Sequence, residues 1–353
     1  MARRSLGRGP TIVDVARAAE VSVSTVSRVM RDHADVGAVT RAHVREAIEL
    51  LGYRPSPIAR ALVAGQSRLL TLLVSDITNP FYPQLAKSVE QEAKKEGYAV
   101  VICNTEDRTA ETRRYVERLL AQGLDGVIHA SVARDEQVLL SLMADDRRVV
   151  FTNRRPANSA VSYVVSDNEN GAAELTRHLL SLGHRRIGFI TGPRYARNGM
   201  ERLKGCRYAM RQVSNAQLFV AEGDFSVESG HQAVLGWTRS QQMPTAVIAV
   251  SDSVALGALG ALSESRLRVP EDVALAGFDG TQLSASPLLS LTTIDQHIEE
   301  LGRRSVQILL GQLTGSGVFE PVQQVLPSRL LVRRSTLGAG ADPRSYDGVA
   351  ANG

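Results

Sequence analysis

The sequence predicts an α/β protein: an N-terminal all-α helix-turn-helix headpiece followed by two lobes, each a doubly wound parallel sheet. Three observations predict this. In residues 11–54, apolar side chains recur at helical spacing in three short segments separated by tight turns. From Leu69 onward, short apolar runs alternate with helical stretches, and the alternation occurs as two successive βαβ sets. Charge divides at the same place: residues 1–68 carry eleven Arg, no Lys and six acids, a net +5, while residues 69–353 carry thirty basic and thirty-one acidic side chains. A short basic module on a near-neutral body is the electrostatic footprint of a nucleic-acid-binding head.

The bulk composition bounds the rest. A chain of 353 residues is too long for one ordinary domain. Its 43% hydrophobic and 22% charged residues are those of a soluble globular protein, and no run approaches a membrane span. Met1-Ala2-Arg3-Arg4 is followed by no apolar core, so no signal peptide and a cytoplasmic location are expected. Cys103 and Cys206 make neither a disulfide framework nor a metal set and read as reduced core thiols.

In the headpiece, residues 1–10 form a Gly/Arg/Ser/Pro arm expected to be disordered alone. Thr11 can cap a first helix, with Asp14 favouring its positive end and Val15, Ala16 and Ala19 on its inner face. Ser22 can cap a second helix reaching Met30. Val26 and Val29 would point inward, with hydroxyls and Arg28 on the outer face. A third helix is expected over Val39–Leu51, with Val44, Ala47, Ile48 and Leu51 on one face and Gly52 as its stop. Ser56 and Pro57 can start one more helix of two turns at most. Such a helix is marginal in isolation and needs a partner, either DNA or its own copy.

In the body, Leu69–Val74, Ala99–Cys103, Gly126–Ala130 and Val149–Thr152 read as buried parallel strands, with helices near Pro83–Glu96, Ala110–Gln122 and Asp135–Ala144. The pattern repeats with strands at Ile187–Thr191, Ala246–Val250 and Val273–Phe278. Helices alternate with them at Gly171–Leu182, Met200–Val213, Val227–Arg239 and Val254–Glu264. Asp167 to Gly171 is expected to cap the helix opening the second lobe, and Trp237 to serve packing. Ligands of such sheets bind beyond the carboxyl ends of the strands. The words at those ends include Ser75-Asp76-Ile77-Thr78-Asn79-Pro80-Phe81-Tyr82, Thr152-Asn153-Arg154-Arg155, Asn198-Gly199-Met200-Glu201-Arg202, Gly223-Asp224-Phe225, Ser251-Asp252 and Gly277-Phe278-Asp279-Gly280, with Gln296 in the inter-lobe crossing. Aromatic faces beside charged and amide groups suit a sugar, whose ring has an apolar face and a rim of hydroxyls.

The first 66 residues resemble the headpiece and hinge of the lactose-repressor/purine-repressor family of bacterial transcriptional regulators. The resemblance rests on Ile12-Val13-Asp14-Val15-Ala16, Val21 through Val29, Leu51-Gly52-Tyr53-Arg54-Pro55 and Ala59-Arg60-Ala61-Leu62, in that order. It implies that Val23, Ser24 and Arg28 read bases, and that Ser22, Thr25 and Ser27 are placed for phosphates. It further implies that Ala59, Arg60 and Leu62 act in a hinge helix, with Leu62 an apolar wedge in the minor groove. Residues 69–335 resemble the periplasmic sugar-binding-protein fold that this family shares. That implies effector contacts from Asn79, Phe81, Tyr82, Asn153, Arg154, Arg202, Phe225, Ser251, Asp279 and Gln296.

Five positions depart from the family pattern: Glu20 stands for a turn Gly, Gly37 for a hydroxyl cap, Ser56 for a hinge Asn, Asn153 for an Asp and Ser251 for an Asn. The implied organisation is a headpiece over 11–54, a hinge over 55–67, an effector-binding and dimerisation domain over 68–337, and a disordered tail over 338–353. Lobe one takes about 68–166 and 296–320; lobe two takes about 167–295 and 321–337.

The function expected is that of a repressor of carbohydrate-metabolism genes. It would bind a pseudo-palindromic operator in double-stranded DNA as a homodimer and be released by a small sugar-like effector. The same regulator with a nucleobase, nucleoside or corepressor ligand is the alternative, and a sugar carrier a more distant one. No dinucleotide fingerprint, Walker A or nucleophile elbow is present, and the seven histidines lack metal-ligand spacing. No enzyme activity, cofactor, metal or membrane association is therefore expected.

Overall fold

A computed structural model describes residues 10–30, 32–33, 35–53, 67–121, 123–131, 148–156, 160–315 and 320–337. The chain divides into two compact units, one ending at Ser67 and the other beginning at Arg68.

The first unit is three helices: α1 (Ile12–Ala18), α2 (Val23–Met30) and α3 (Ala38–Leu51). Thr11 and Asp14 cap α1 reciprocally, since the Thr11 backbone N–H donates to Asp14 Oδ2 at 2.9 Å while Thr11 Oγ1 accepts from the Asp14 N–H. These bonds to Thr11 hold the Asp14 carboxyl below its ordinary pKa. The turn between α1 and α2 closes on Glu20, which is left-handed at φ 54°, with the Val21 N–H returning to the Ala16 carbonyl. Gly52 ends α3 with the same geometry at φ 61°. Gly37 precedes α3 without a side-chain cap bond.

Val15, Ala16, Val26, Val29, Val44 and Ala47 make the small core. Leu51 is not part of it, contrary to the pattern expected, and is 37% exposed. It lies in the last turn of α3, and Tyr53, brought back by the Gly52 turn, joins the core instead.

The second unit holds two lobes. The sheet of the first runs β11 (Gln323–Leu326), β5 (Ser162–Ser166), β4 (Arg148–Thr152), β3 (Gly126–His129), β1 (Leu69–Val74), β2 (Ala99–Asn104), every pair parallel. Alternate side chains serve opposite faces. Leu70, Leu72 and Val74 pack with α4 (Phe81–Lys95) and α10 (Ile298–Thr314), while Leu73 packs with α5 (Thr109–Ala121). The second sheet runs β7 (Gln217–Ala221), β6 (Arg186–Ile190), β8 (Ala246–Ala249), β9 (Ala274–Ala276), again parallel. Its core includes Ile187, Phe189, Ile248 and Trp237. Around it lie α6 (Asn168–Ser181), α7 (Arg197–Met210), α8 (Val227–Arg239) and α9 (Asp252–Glu264). Helices α8 and α9 cross closely through Gly230 and Gly257: a Cβ on either would run into a backbone carbonyl of the other helix.

Several expectations are corrected. Strand β2 is an edge strand, so Val101 and Ile102 are exposed rather than buried. Helices α4, α6 and α7 start earlier than the apolar periodicity alone indicated, at Phe81, Asn168 and Arg197. For α6 the cause is Asp167, whose side chain accepts the Asn170 N–H at 3.1 Å. Residues 321–337 do not all belong to the second lobe, because β11 pairs with β5 of the first. The chain therefore crosses between lobes near 167, 296 and 327, and these segments are stitched side by side. Ser166 Oγ donates to the Gln296 carbonyl at 2.8 Å, and the Asp167 N–H to the Leu326 carbonyl at 2.9 Å. The short antiparallel pair β10 (Thr293–Asp295) and β12 (Arg329–Leu331) lies at two of these crossings. The helix expected over 135–144, the hinge and the two chain ends lie outside the described residues.

Candidate functional site

Two sites are built by these units. The first is the outer face of α2. Burying Val26 and Val29 turns Val23, Ser24 and Arg28 outward, and Val23 is 41% exposed. Ser22 caps the helix, accepting the Thr25 N–H at 3.1 Å, and its hydroxyl also meets those of Ser24 at 2.7 Å and Thr25 at 2.8 Å. Arg28 Nη1 lies 3.2 Å from Asp35 Oδ2, and His33 Nδ1 lies 3.1 Å from the other oxygen of that carboxylate. No sequence pattern signals this Asp35 contact. Such a face offers one guanidinium, a cluster of hydroxyls and one exposed methyl group pair to a groove. Ala59, Arg60 and Leu62 lie outside the described residues.

The second site is a cleft of about 540 Å³ between the two lobes, at the carboxyl ends of their strands. Nine of the ten effector residues expected line it: Asn79, Phe81, Tyr82, Asn153, Arg154, Arg202, Phe225, Ser251 and Asp279. Gln296 is set behind them and donates from Nε2 to Asp279 Oδ1 at 2.6 Å.

On the first-lobe side, Phe81 and Tyr82 meet edge to face, 5.3 Å between ring centroids. The Tyr82 hydroxyl accepts from Ser75 Oγ at 2.5 Å and from Asn153 Nδ2 at 3.4 Å. Burial holds that phenol above its ordinary pKa, so it remains a neutral hydroxyl. Asn79 accepts the Phe81 N–H at 3.1 Å and so helps open α4. Arg154, 3% exposed, donates from Nη1 to both oxygens of Asp107 at 2.8 Å and lies 5.0 Å over the Phe225 ring. Asp107 thus supplies the carboxylate that Asn153 does not. It was missed in the sequence although it follows the end of β2, where a cleft residue is to be sought.

On the second-lobe side, Arg202 is 1% exposed. Its Nη1 donates to the Val250 carbonyl at 2.6 Å and its Nε to Asn168 Oδ1 at 2.9 Å. Its guanidinium carbon stands 3.8 Å over the Phe278 ring, and Asp279 Oδ1 is 3.5 Å away. Burial raises the Asp279 pKa and lowers that of Arg202, each opposed by the charge of the other. Ser251 caps α9 by accepting the Val254 N–H at 3.2 Å.

Five cleft residues hold positive φ without being glycine, Glu106 at 52°, Asp107 at 51°, Asn153 at 63°, Phe225 at 70° and Asp279 at 135°; such strain gathers where a site dictates side-chain direction. Arg202 Nη2 and Arg154 Nε are buried without a hydrogen-bond partner among the described residues. Tyr195 and Asn198 also line the cleft, Asn198 reaching across to Asn153 Oδ1 at 3.5 Å. The described residues contain no metal-ligand cluster and no helix long and apolar enough to cross a membrane.

The chain matches known proteins along its length. Residues 11–56 match the model described as bacterial regulatory proteins, lacI family, and residues 176–336 match a periplasmic binding protein-like domain. It is 34% identical to the ribose operon repressor of Halalkalibacterium halodurans over 93% of this chain and 97% of that protein. To the transcriptional repressor PurR of Aliivibrio salmonicida it is 33% identical, over 86% and 92%. Among solved structures, the lac repressor dimer bound to operator and the anti-inducer ONPF superposes with a TM-score of 0.82 at 31% identity, covering 94% of this chain and all of that one. A complex of the regulator CelR with cellobiose gives a TM-score of 0.71 at 33% identity, covering 92% and 99%.

Proposed function

Because the chain belongs to the lacI family of bacterial regulatory proteins, we propose that this DNA-binding transcriptional regulator represses carbohydrate-metabolism genes and releases its operator when a small sugar-like effector binds between the lobes. The observation that carries this reading is the cleft itself. It combines two aromatic walls, Phe81–Tyr82 and Phe225, with two buried guanidinium groups whose Nη2 and Nε donors have no partner among the described residues. A sugar ring matches such a lining: its apolar face packs on the rings and its hydroxyls accept from the arginines.

In the headpiece, Val23, Ser24 and Arg28 would read base edges in the major groove, and Ser22, Thr25 and Ser27 would bond phosphates. Ala59, Arg60 and Leu62 would form the hinge over the minor groove. A homodimer supplies two headpieces for the two half-sites of a pseudo-palindrome. Exposed apolar side chains support a second copy: Leu256 and Leu283 beside one small pocket of the second lobe, and Val101 and Ile102 on the edge strand of the first. Closing the cleft changes the angle between lobes, and with it the separation of the hinges. The effector acts only through its unequal affinity for the two arrangements.

The test is to select genomic fragments that the protein binds and titrate the complex with sugars. Release by one sugar that also raises the melting temperature is the expected result. Release by none, together with tighter binding on adding a nucleobase, would replace this reading with a corepressor.

A further inference from the structure

The charges of the cleft carry one step more, resting on its reading as the effector site. Arg154 and Arg202 are its only cationic lining groups among the described residues. Each has a carboxylate beside it. Arg154 is 3% exposed and bonded to both oxygens of Asp107 at 2.8 Å, and Arg202 has Asp279 3.5 Å away. Three further carboxylates, Asp76, Glu106 and Asp224, line the cleft, and of these Glu106 is paired with Arg108. Hydrogen bonds from Ser226 keep Asp224 below its ordinary pKa and so ionised. The cleft is therefore net acidic, while Arg202 Nη2 and Arg154 Nε remain as buried N–H donors with no partner among the described residues.

We propose that the cleft selects an uncharged polyhydroxyl ligand over its phosphorylated or carboxylated counterpart, and that Asp107 sets this selectivity by neutralising Arg154. A hydroxyl oxygen satisfies an orphan guanidinium N–H without adding charge. A phosphate brings negative charge beside several carboxylates, so like charges are brought together. Position 153, an Asn beside Arg154, leaves the neutralisation to a residue from a different loop. The selectivity can thus be changed at Asp107 without touching the residue next to the arginine.

Calorimetric titration of the full-length dimer tests this with matched probes: ribose and ribose 5-phosphate, glucose and glucose 6-phosphate, galactose and galacturonate. One neutral sugar is expected to bind at least about tenfold more tightly than its anionic partner. In Asp107→Asn that ratio should fall about tenfold or more, because Arg154 regains a free charge. Asp224→Asn, which keeps an oxygen to accept the Ser226 N–H, should narrow the ratio less and guards against a misfolded Asp107 variant. An anionic member binding as well as its neutral partner overturns the proposal while leaving the effector reading intact. A ratio unchanged in Asp107→Asn overturns the role of Asp107. Silence from every probe, neutral and anionic, with the operator complex unaffected, overturns the sugar-effector reading and this proposal with it.

Discussion

Arg202 on α7 donates to the Val250 carbonyl at the end of β8, 2.6 Å away, and so ties a helix of the second lobe to the rim of the cleft. The same side chain holds Asn168 and stacks on Phe278. It is a structural tie whose Nη2 has no partner among the described residues. Lysine keeps the charge but loses the planar fork. Arg202→Lys should therefore destabilise the second lobe by about 2 kcal/mol and abolish the effector response. Urea unfolding followed by the fluorescence of Trp237, the sole tryptophan and buried in that lobe, reads the first effect. An unchanged midpoint would show that these bonds add nothing.

Arg28 and Asp35 form an exposed pair, and such pairs contribute at most about 1 kcal/mol. The guanidinium can exchange that carboxylate for a guanine edge at little cost. Arg28→Ala should weaken operator binding by roughly 1–3 kcal/mol and relax one base position. Asp35→Ala should tighten binding to random DNA more than to operator, since it removes a negative charge whose repulsion of phosphates does not depend on sequence. Fluorescence anisotropy at fixed salt checks both. Equal losses on operator and random DNA for Arg28→Ala would argue against base reading.

Glu20 occupies a left-handed turn at φ 54° where a β-carbon is strained. Glu20→Gly removes the strain and loosens the unfolded chain, with a net gain of roughly 0.5–1 kcal/mol in headpiece stability. A thermal melt of the headpiece followed by circular dichroism should move upward. A lower midpoint would mean that the Glu20 side chain contributes more than its backbone costs.

Burial lowers the pKa of His178 to about 4, and its Nε2 lies 3.0 Å from Thr336 Oγ1. A depressed folded-state pKa gives stability that is full above the ordinary pKa of 6.5 and is lost as pH falls toward about 4. His178→Gln should flatten that stretch of the stability–pH curve by roughly 2 kcal/mol, read by Trp237 unfolding at stepped pH. A variant curve parallel to that of the native protein would assign the acid lability elsewhere.

Local patterns carried much of this molecule. Apolar periodicity located the three headpiece helices, each half-immersed in a core, and continuous apolar runs located most of the buried strands, which are covered on both faces. Caps at Thr11, Ser22 and Asp167 were legible for the same reason: a helix end needs its partner within three residues. The fold class and the lacI-type headpiece therefore follow from the sequence by itself.

Edge strands and partnerships between distant residues did not. Strand β2 is as apolar as its neighbours yet lies at the sheet edge, and β11 is polar enough to pass for a loop yet completes the first sheet. Position within a sheet is decided by pairing with strands far along the chain. The bond between Arg154 and Asp107 joins residues 47 positions apart, and that between Arg202 and Val250 joins residues 48 apart. The sequence alone determined the kinds of groups available to the cleft and the elements that carry them. Only the tertiary structure decided which carboxylate neutralises which arginine, because a charge pairs with its nearest partner in space, and the packing of the two lobes sets that distance.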